Sequence, residues 1–352
     1  MQGSSPDLRI AIGTVLSCFL LALLPSPIAA QTPTAPGTEK AAAPGLQYWR
    51  VGSPRDLPTK TQAGFALIGG GDDLDDAFSW LCERSGGGDF LVLRARGTDA
   101  YNPYVHTLCH ENSVATLLIP DRRTAFDEAV RTRIARASAI FISGGDQAKY
   151  VNYWVDTPVQ QAVNDAIGRG VPVGGTSAGL AVQGEFMYSA QGDAEDGPDL
   201  SSALALQDPF LSRVTIVHNF LRIPALRDTI TDTHFSARDR MGRLLVFMAR
   251  ILQDDEAKSI RAIAVDEHTA VLLEPDGRAR IVGTGSAYFL RASVKASVCR
   301  PRTPLTFHGV PVIKLQGGAT FDTVTWRGAG AHYELSVEQG KIHSTRAGGA
   351  IY

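Results

Sequence analysis

Val171-Pro172-Val173-Gly174-Gly175-Thr176-Ser177-Ala178-Gly179 decides the reading of this chain. A short apolar run, Val171-Pro172-Val173, leads into Gly175-Thr176-Ser177-Ala178-Gly179, which fits Gly-x-Ser-x-Gly and is followed by a plausible helix. In the strand–turn–helix context this motif needs, a serine is lifted on a strained elbow at a sheet edge. Bulky neighbours would clash there, and the Ala178 amide is placed to help hold a developing oxyanion. A tightly packed turn or a phosphate seat is the plainer alternative for such a segment.

Working outward, the same rhythm repeats. Phe65-Ala66-Leu67-Ile68 runs into Gly69-Gly70-Gly71, and a helix is expected from Asp72 as its N-cap. Phe90-Leu91-Val92-Leu93, Ala115-Thr116-Leu117-Leu118-Ile119 and Ala139-Ile140-Phe141-Ile142 read as further strands, and residues 127–135 and 158–167 as helices. Near-continuous apolar strands alternating with helices predict an α/β fold: a doubly wound, mostly parallel sheet with helices on both faces. Functional groups of such sheets collect at the carboxyl ends of the strands. After about residue 260 the rhythm changes to short strands, with Asp276-Gly277 marking a hairpin, so a C-terminal antiparallel extension is expected.

The chain has 352 residues and a formal net charge of -2, which argues against whole-chain attraction to nucleic acid. Arg9, an apolar run over residues 10–24, and Ala29-Ala30 match a secretory signal peptide cleaved after Ala30, with a retained N-terminal anchor as the alternative. A secreted or periplasmic protein with no membrane attachment after cleavage is therefore expected. The expected organisation is signal peptide 1–30, flexible lead-in 31–60, catalytic domain 61–298 and β-rich tail 299–352. Of Cys82, Cys109 and Cys299, at least one stays unpaired; Cys82 with Cys109 is the candidate disulfide, against three buried free thiols. No spacing of Cys or His suggests a metal site, and no organic cofactor is implied.

A serine nucleophile needs a base and an acid to orient it. His234, in Asp232-Thr233-His234-Phe235 ahead of the amphipathic residues 241–252, is the preferred base and is expected at a helix N-terminus; His218 and His268 follow it. Glu267 is the preferred acid, with Asp266 the alternative. The order Ser, His, acid differs from the Ser, acid, His order of α/β-hydrolases. Arg238, Arg240 and Arg243 follow His234, and on a helix would pair faces as Arg238 with His234 and Arg243 with Arg240. Guanidinium groups there would capture carboxylates and disfavour a permanently charged imidazole. A solvated face with Asp239 as partner is the plainer alternative.

These pieces together resemble the cyanophycinase and peptidase E family of serine peptidases. The likeness covers about residues 65–290. Ile142-Ser143-Gly144-Gly145-Asp146-Gln147 resembles the family's Gly-Gly-Asp-Gln turn, residues 175–179 its nucleophile turn, residues 232–243 its block of base and arginines, and residues 264–270 the segment carrying the acid. The resemblance implies a fold like that of class I glutamine amidotransferases. It implies Ser177 as nucleophile, His234 as base, Glu267 as acid, and the amides of Gly145 and Ala178 as oxyanion hole. Gln147, Asp232, Arg238, Arg240 and Arg243 would line the substrate pocket. The implied substrate is cyanophycin, a poly-aspartate carrying arginine on each side-chain carboxyl, cut to β-aspartyl-arginine; an aspartyl dipeptidase and a non-catalytic binding relative are the alternatives. Family members often dimerise, so a homodimer is one assembly the resemblance allows. Thr233 stands where glutamine is usual, Leu180 where alanine is common, and residues 188–209 form an acidic loop.

Overall fold

The computed structural model describes residues 45–194 and 197–352. The expected signal peptide and the start of the lead-in lie outside the described residues.

Two mixed sheets form among the described residues, not one sheet with an extension. The first runs, edge to edge, Gln47–Gly52, Ser113–Leu118, Asp89–Arg94, Ala139–Ile142, Val173–Thr176, Phe65–Ile68, Thr269–Leu273, Arg278–Gly283, Thr320–Asp322, Arg327–Gly328. Its central strands, from Ser113–Leu118 to Phe65–Ile68, pair in parallel. They are apolar throughout because both faces are covered. Leu67, Leu91, Leu93, Ile140 and Ile142 share a core with Val130, Ile134, Trp154 and Val163. The alternate residues Ala66, Ile68, Phe90, Val92 and Phe141 pack instead with Phe78, Leu81 and Val105. Helices therefore cover both faces of the parallel strands.

The second sheet runs Lys341–Ser344, Ala331–Glu338, Phe307–Gln316, Ser286–Ala292, Ile260–Val265, Thr229–Asp232, Phe186–Tyr188, Ile216–His218. Within this second sheet only Ile260–Val265 with Thr229–Asp232, and Thr229–Asp232 with Phe186–Tyr188, are parallel among the described strands. The helix Met241–Gln253 packs on this sheet with its Leu244, Phe247, Met248 and Ile251 in the second core.

Four sequence expectations change. Part of the lead-in is structured: Gln47–Gly52 pairs antiparallel with Ser113–Leu118 from end to end. Residues 299–352 are no separate tail, since Phe307–Gln316 extends the second sheet and Thr320–Asp322 the first. The first helix, Asp75–Ser85, starts after Leu74, which gives no side-chain cap, and not at Asp72. Residues 235–239 form turns, and the helix begins only at Met241 with Arg240 as its N-cap, so His234 is not at its N-terminus and the arginines do not share one helical face.

Cys82 and Cys109 are joined in a disulfide that ties Asp75–Ser85 to Tyr101–Cys109, and Cys299 is a buried free thiol. Beside the disulfide, Glu111 is buried with one carboxylate oxygen 2.6 Å from Ser85 Oγ and the other without a partner. Burial pushes its carboxyl up from 4.5 to about 7. A raised folded-state value penalises the ionised form, so stability falls as pH rises from 4.5 and the loss is complete above about 7. Between pH 4.5 and 8 the wild type should lose on the order of 3 kcal/mol more than Glu111→Gln, read by denaturant unfolding.

Candidate active site

The nucleophile turn is built as the glycines require. Ser177 has φ 53° and ψ −117°, a conformation sparsely populated by non-glycine residues. Its amide donates to Ile68 O at 3.0 Å, and its carbonyl accepts from Leu180 and Ala181, both at 2.9 Å. The chain can turn this tightly because residue 179 has no side chain: a Cβ there would stand 1.9 Å from Ile142 O. The helix that follows, Ala178–Ala181, is a single turn.

His234 closes on Ser177 from the carboxyl end of Thr229–Asp232. Its Nε2 is 2.7 Å from Ser177 Oγ and its Nδ1 is 2.6 Å from Glu267 Oε1. The backbone fixes the ring's place: His234 N donates to Gly69 O at 2.8 Å, and Phe235 N to Val265 O at 3.3 Å. Gly70 was not singled out from the sequence, yet a Cβ there would lie 2.3 Å from His234 Cε1. The signal was the glycine run closing a strand. Asp266, the alternative acid, instead accepts from the amides of Ser236 at 2.8 Å and Ser286 at 3.1 Å, so it holds the loop after His234. His218 is exposed beside Asn219, and His268 accepts from the Asp72 amide at 3.3 Å. The structure gives neither a contact with Ser177.

His234 is 7% exposed, and its burial pulls the imidazole below 6.5; Glu267 opposes this, while Arg238 and Arg240 add to it. The hydrogen bond with His234 holds the Glu267 carboxyl below its usual range. A ring left neutral at pH 7, with an ionised carboxylate behind it, is the state in which a base can accept a proton from Ser177.

The Gly144–Gly145 turn lies alongside: a Cβ on Gly144 would be 3.5 Å from Ser177 Cβ. Tyr150, fully buried, steadies that turn by donating to Ser143 O at 2.8 Å. Gln147 opens the helix Gln147–Trp154, and its Nε2 donates to Tyr188 O at 3.2 Å.

The arginines divide into two groups. Arg243 is 1% exposed; its guanidinium grips Asp232 with both arms, Nε to Oδ2 at 2.9 Å and Nη2 to Oδ1 at 2.5 Å, and lies 5.1 Å over the Tyr188 ring. Asp232 and Arg243 thus form a buried ion pair. Arg240 donates to Thr233 O and Oγ1 at 2.9 and 3.0 Å and to Asp199, while Arg238 reaches Asp199 Oδ2 at 3.0 Å. Among the described residues no group of three or more His, Cys, Asp and Glu is placed to hold a metal ion.

Residues 120–281 match the model of peptidase family S51. The cyanophycinases of Synechococcus elongatus and Thermosynechococcus vestitus are each 30% identical over 230 residues, 62% of this chain and 65% of theirs. That of Trichormus variabilis is 30% identical over 213 residues, 59% of this chain and 64% of its own. The chain therefore spans a little under two thirds of the length of these relatives. A peptidase structure from an acI-B1 Actinobacterium aligns at TM-score 0.47 and 17% identity over 75% of this chain and 98% of that one, too loose a likeness to carry weight. The matched segment contains the Gly144–Gly145 turn, the nucleophile turn, the base and arginine block, and Glu267: over residues 120–281 the chain is similar to peptidase family S51, and the relatives it resembles are cyanophycinases.

Proposed function

We propose that this protein is an exported serine exopeptidase that cuts cyanophycin or a closely related isoaspartyl polymer to β-aspartyl-arginine. The observation that carries the reading is the unbroken chain Ser177 Oγ, His234, Glu267, with Arg238 and Arg240 beside the base. His234 Nε2 takes the Ser177 proton as Oγ attacks the scissile carbonyl. The amides of Gly145 and Ala178 receive the resulting oxyanion. His234 then returns the proton to the leaving amine, and an acyl-enzyme on Ser177 remains. Water, deprotonated by the same imidazole, releases the acid product. Glu267 keeps Nδ1–H oriented throughout and stays ionised.

Arg238 and Arg240 would take substrate carboxylates, and Gln147 the backbone between them. The N-terminal Arg9-to-Ala30 pattern and the Cys82–Cys109 disulfide both suit an exported chain. An exported aspartyl dipeptidase is the second reading; it is favoured by the withdrawal of Arg243 into its pair with Asp232, which leaves a smaller cationic seat.

The test is to incubate the chain from Gln31 with insoluble cyanophycin and with α- and β-aspartyl dipeptides, reading products by mass. Release of β-aspartyl-arginine supports the first reading; cleavage of a dipeptide with the polymer intact moves the assignment to the second. Inertness toward all of them contradicts both. For the active substrate, the acid limb of kcat/KM should fall below pH 6.5, because protonated His234 cannot act as base and its pKa is lowered. Arg238→Ala should move that limb upward, since removing a like charge eases protonation. A limb that stays put in the variant would contradict the electrostatic coupling.

A further inference from the structure

Asp199 sits where a ligand's carboxylate would go. It lies between the strand Phe186–Tyr188 and the helix Ser202–Gln207, and its Oδ2 is shared by Arg238 and Arg240. Its partners differ in depth: the Arg240 side chain is 7% exposed, whereas the Asp199 side chain is 49% exposed. The carboxylate thus reaches a buried guanidinium from the solvent side. The remaining acid of the cluster, Asp232, is already gripped by Arg243. Asp199 is therefore the carboxylate that Arg238 and Arg240 share, with Arg240 also lying 3.6 Å from Asp232.

The seat is next to the chemistry. The Arg238 amide donates to His234 O at 3.0 Å, and Arg238 and Arg240 both lower the pKa of His234. Asp193 and Pro198, which precede Asp199, are each held by Arg213, Asp193 Oδ1 at 2.5 Å and Pro198 O at 2.6 Å. The segment after it is anchored too, since Ser202 Oγ bonds the Asp239 carbonyl and accepts the Arg243 amide at 3.2 Å. The two arginines hold Asp199 ionised, its carboxyl lowered to about 2. A permanently charged internal carboxylate on a two-arginine seat has the chemistry of the ligand that seat would bind.

We propose that Asp199 is an internal competitor for the Arg238–Arg240 seat, so that an acidic ligand binds by displacing it and Asp199 determines which carboxylates are admitted. The proposal rests on the reading of Arg238 and Arg240 as substrate contacts. Without Asp199 the seat is empty and more cationic, and affinity for any ligand carboxylate rises. If Asp199 instead served to position the arginines, its removal would weaken binding.

The experiment measures β-aspartyl-arginine and succinate binding by calorimetry to Ser177→Ala and to Ser177→Ala with Asp199→Asn. A partly exposed ion pair is a modest competitor, so Kd is expected to fall about fivefold in the double variant. Asp199→Ala in the same background should act in the same direction, and a melting curve shows that each variant folds. In the active enzyme, Asp199→Asn should lower KM by a similar factor. Weaker, equal or absent binding in both Asp199 variants overturns the proposal. Because the binding arm uses a non-hydrolysing protein, it reads this outcome even if no substrate is cut, whereas failure to cut any substrate bears on the peptidase reading.

Discussion

Ser177→Ala is expected to lower kcat by at least ~10⁴-fold while the protein stays folded. In the proposed mechanism the hydroxyl is the group that becomes acylated, and among the described residues no other side chain is hydrogen-bonded to His234 Nε2. Residual turnover would come from the oxyanion amides and binding alone. Alanine keeps the Cβ and therefore the strained φ of 53°, so the melting temperature should move little. Ser177→Gly makes the complementary point: it abolishes activity equally, but relief of a positive-φ position should stabilise the fold by about 1 kcal/mol. Progress curves with the active substrate and thermal melts check both halves.

Asp232→Ala is expected to destabilise the fold by about 3–5 kcal/mol, the largest single stability effect in the site. Arg243 would be left with its guanidinium buried and its two-armed partner gone. Arg240, 3.6 Å from the same carboxylate, would add repulsion. Replacing both members, as in Asp232→Leu with Arg243→Met, should recover much of the loss, because an apolar pair leaves no unpaired buried charge. Denaturant unfolding of the two variants measures this. A small loss in the single variant, accompanied by a large rise in KM, would return Asp232 to the substrate pocket.

The parts legible in the sequence are those set by local rules. The apolar run ending in Gly175-Thr176-Ser177 predicts a strand and an elbow, and Val173–Thr176 with Ser177 at positive φ is what forms. The helix expected over residues 127–135 forms as Glu128–Arg136, with Asp127 as its N-cap accepting from the Ala129 amide. His234 and Glu267 were readable as residue types at strand ends, and the structure brings His234 to Ser177 and Glu267 to His234.

What was not legible depends on pairing at a distance. Nothing local in Thr269–Leu273 says that it joins Phe65–Ile68 and so continues the first sheet, whereas Ile260–Val265 a few residues earlier belongs to the second. The helical reading of the arginine block failed because the chain turns at Asp239, with φ 47°, before Met241 starts the helix. Charges in the block were visible, but their partners were not. Asp232 claims Arg243 from the preceding strand, and Asp199 claims Arg238 and Arg240 from a loop some forty residues away in sequence.

The most direct test of the account is covalent labelling of the resting enzyme with a fluorophosphonate, followed by intact mass and peptide mapping. The account predicts a single adduct on Ser177, none in Ser177→Ala, and labelling slowed by at least ~10²-fold in His234→Ala, since the base activates the hydroxyl. An adduct on another residue, or a Ser177 that labels as fast without His234, would contradict it.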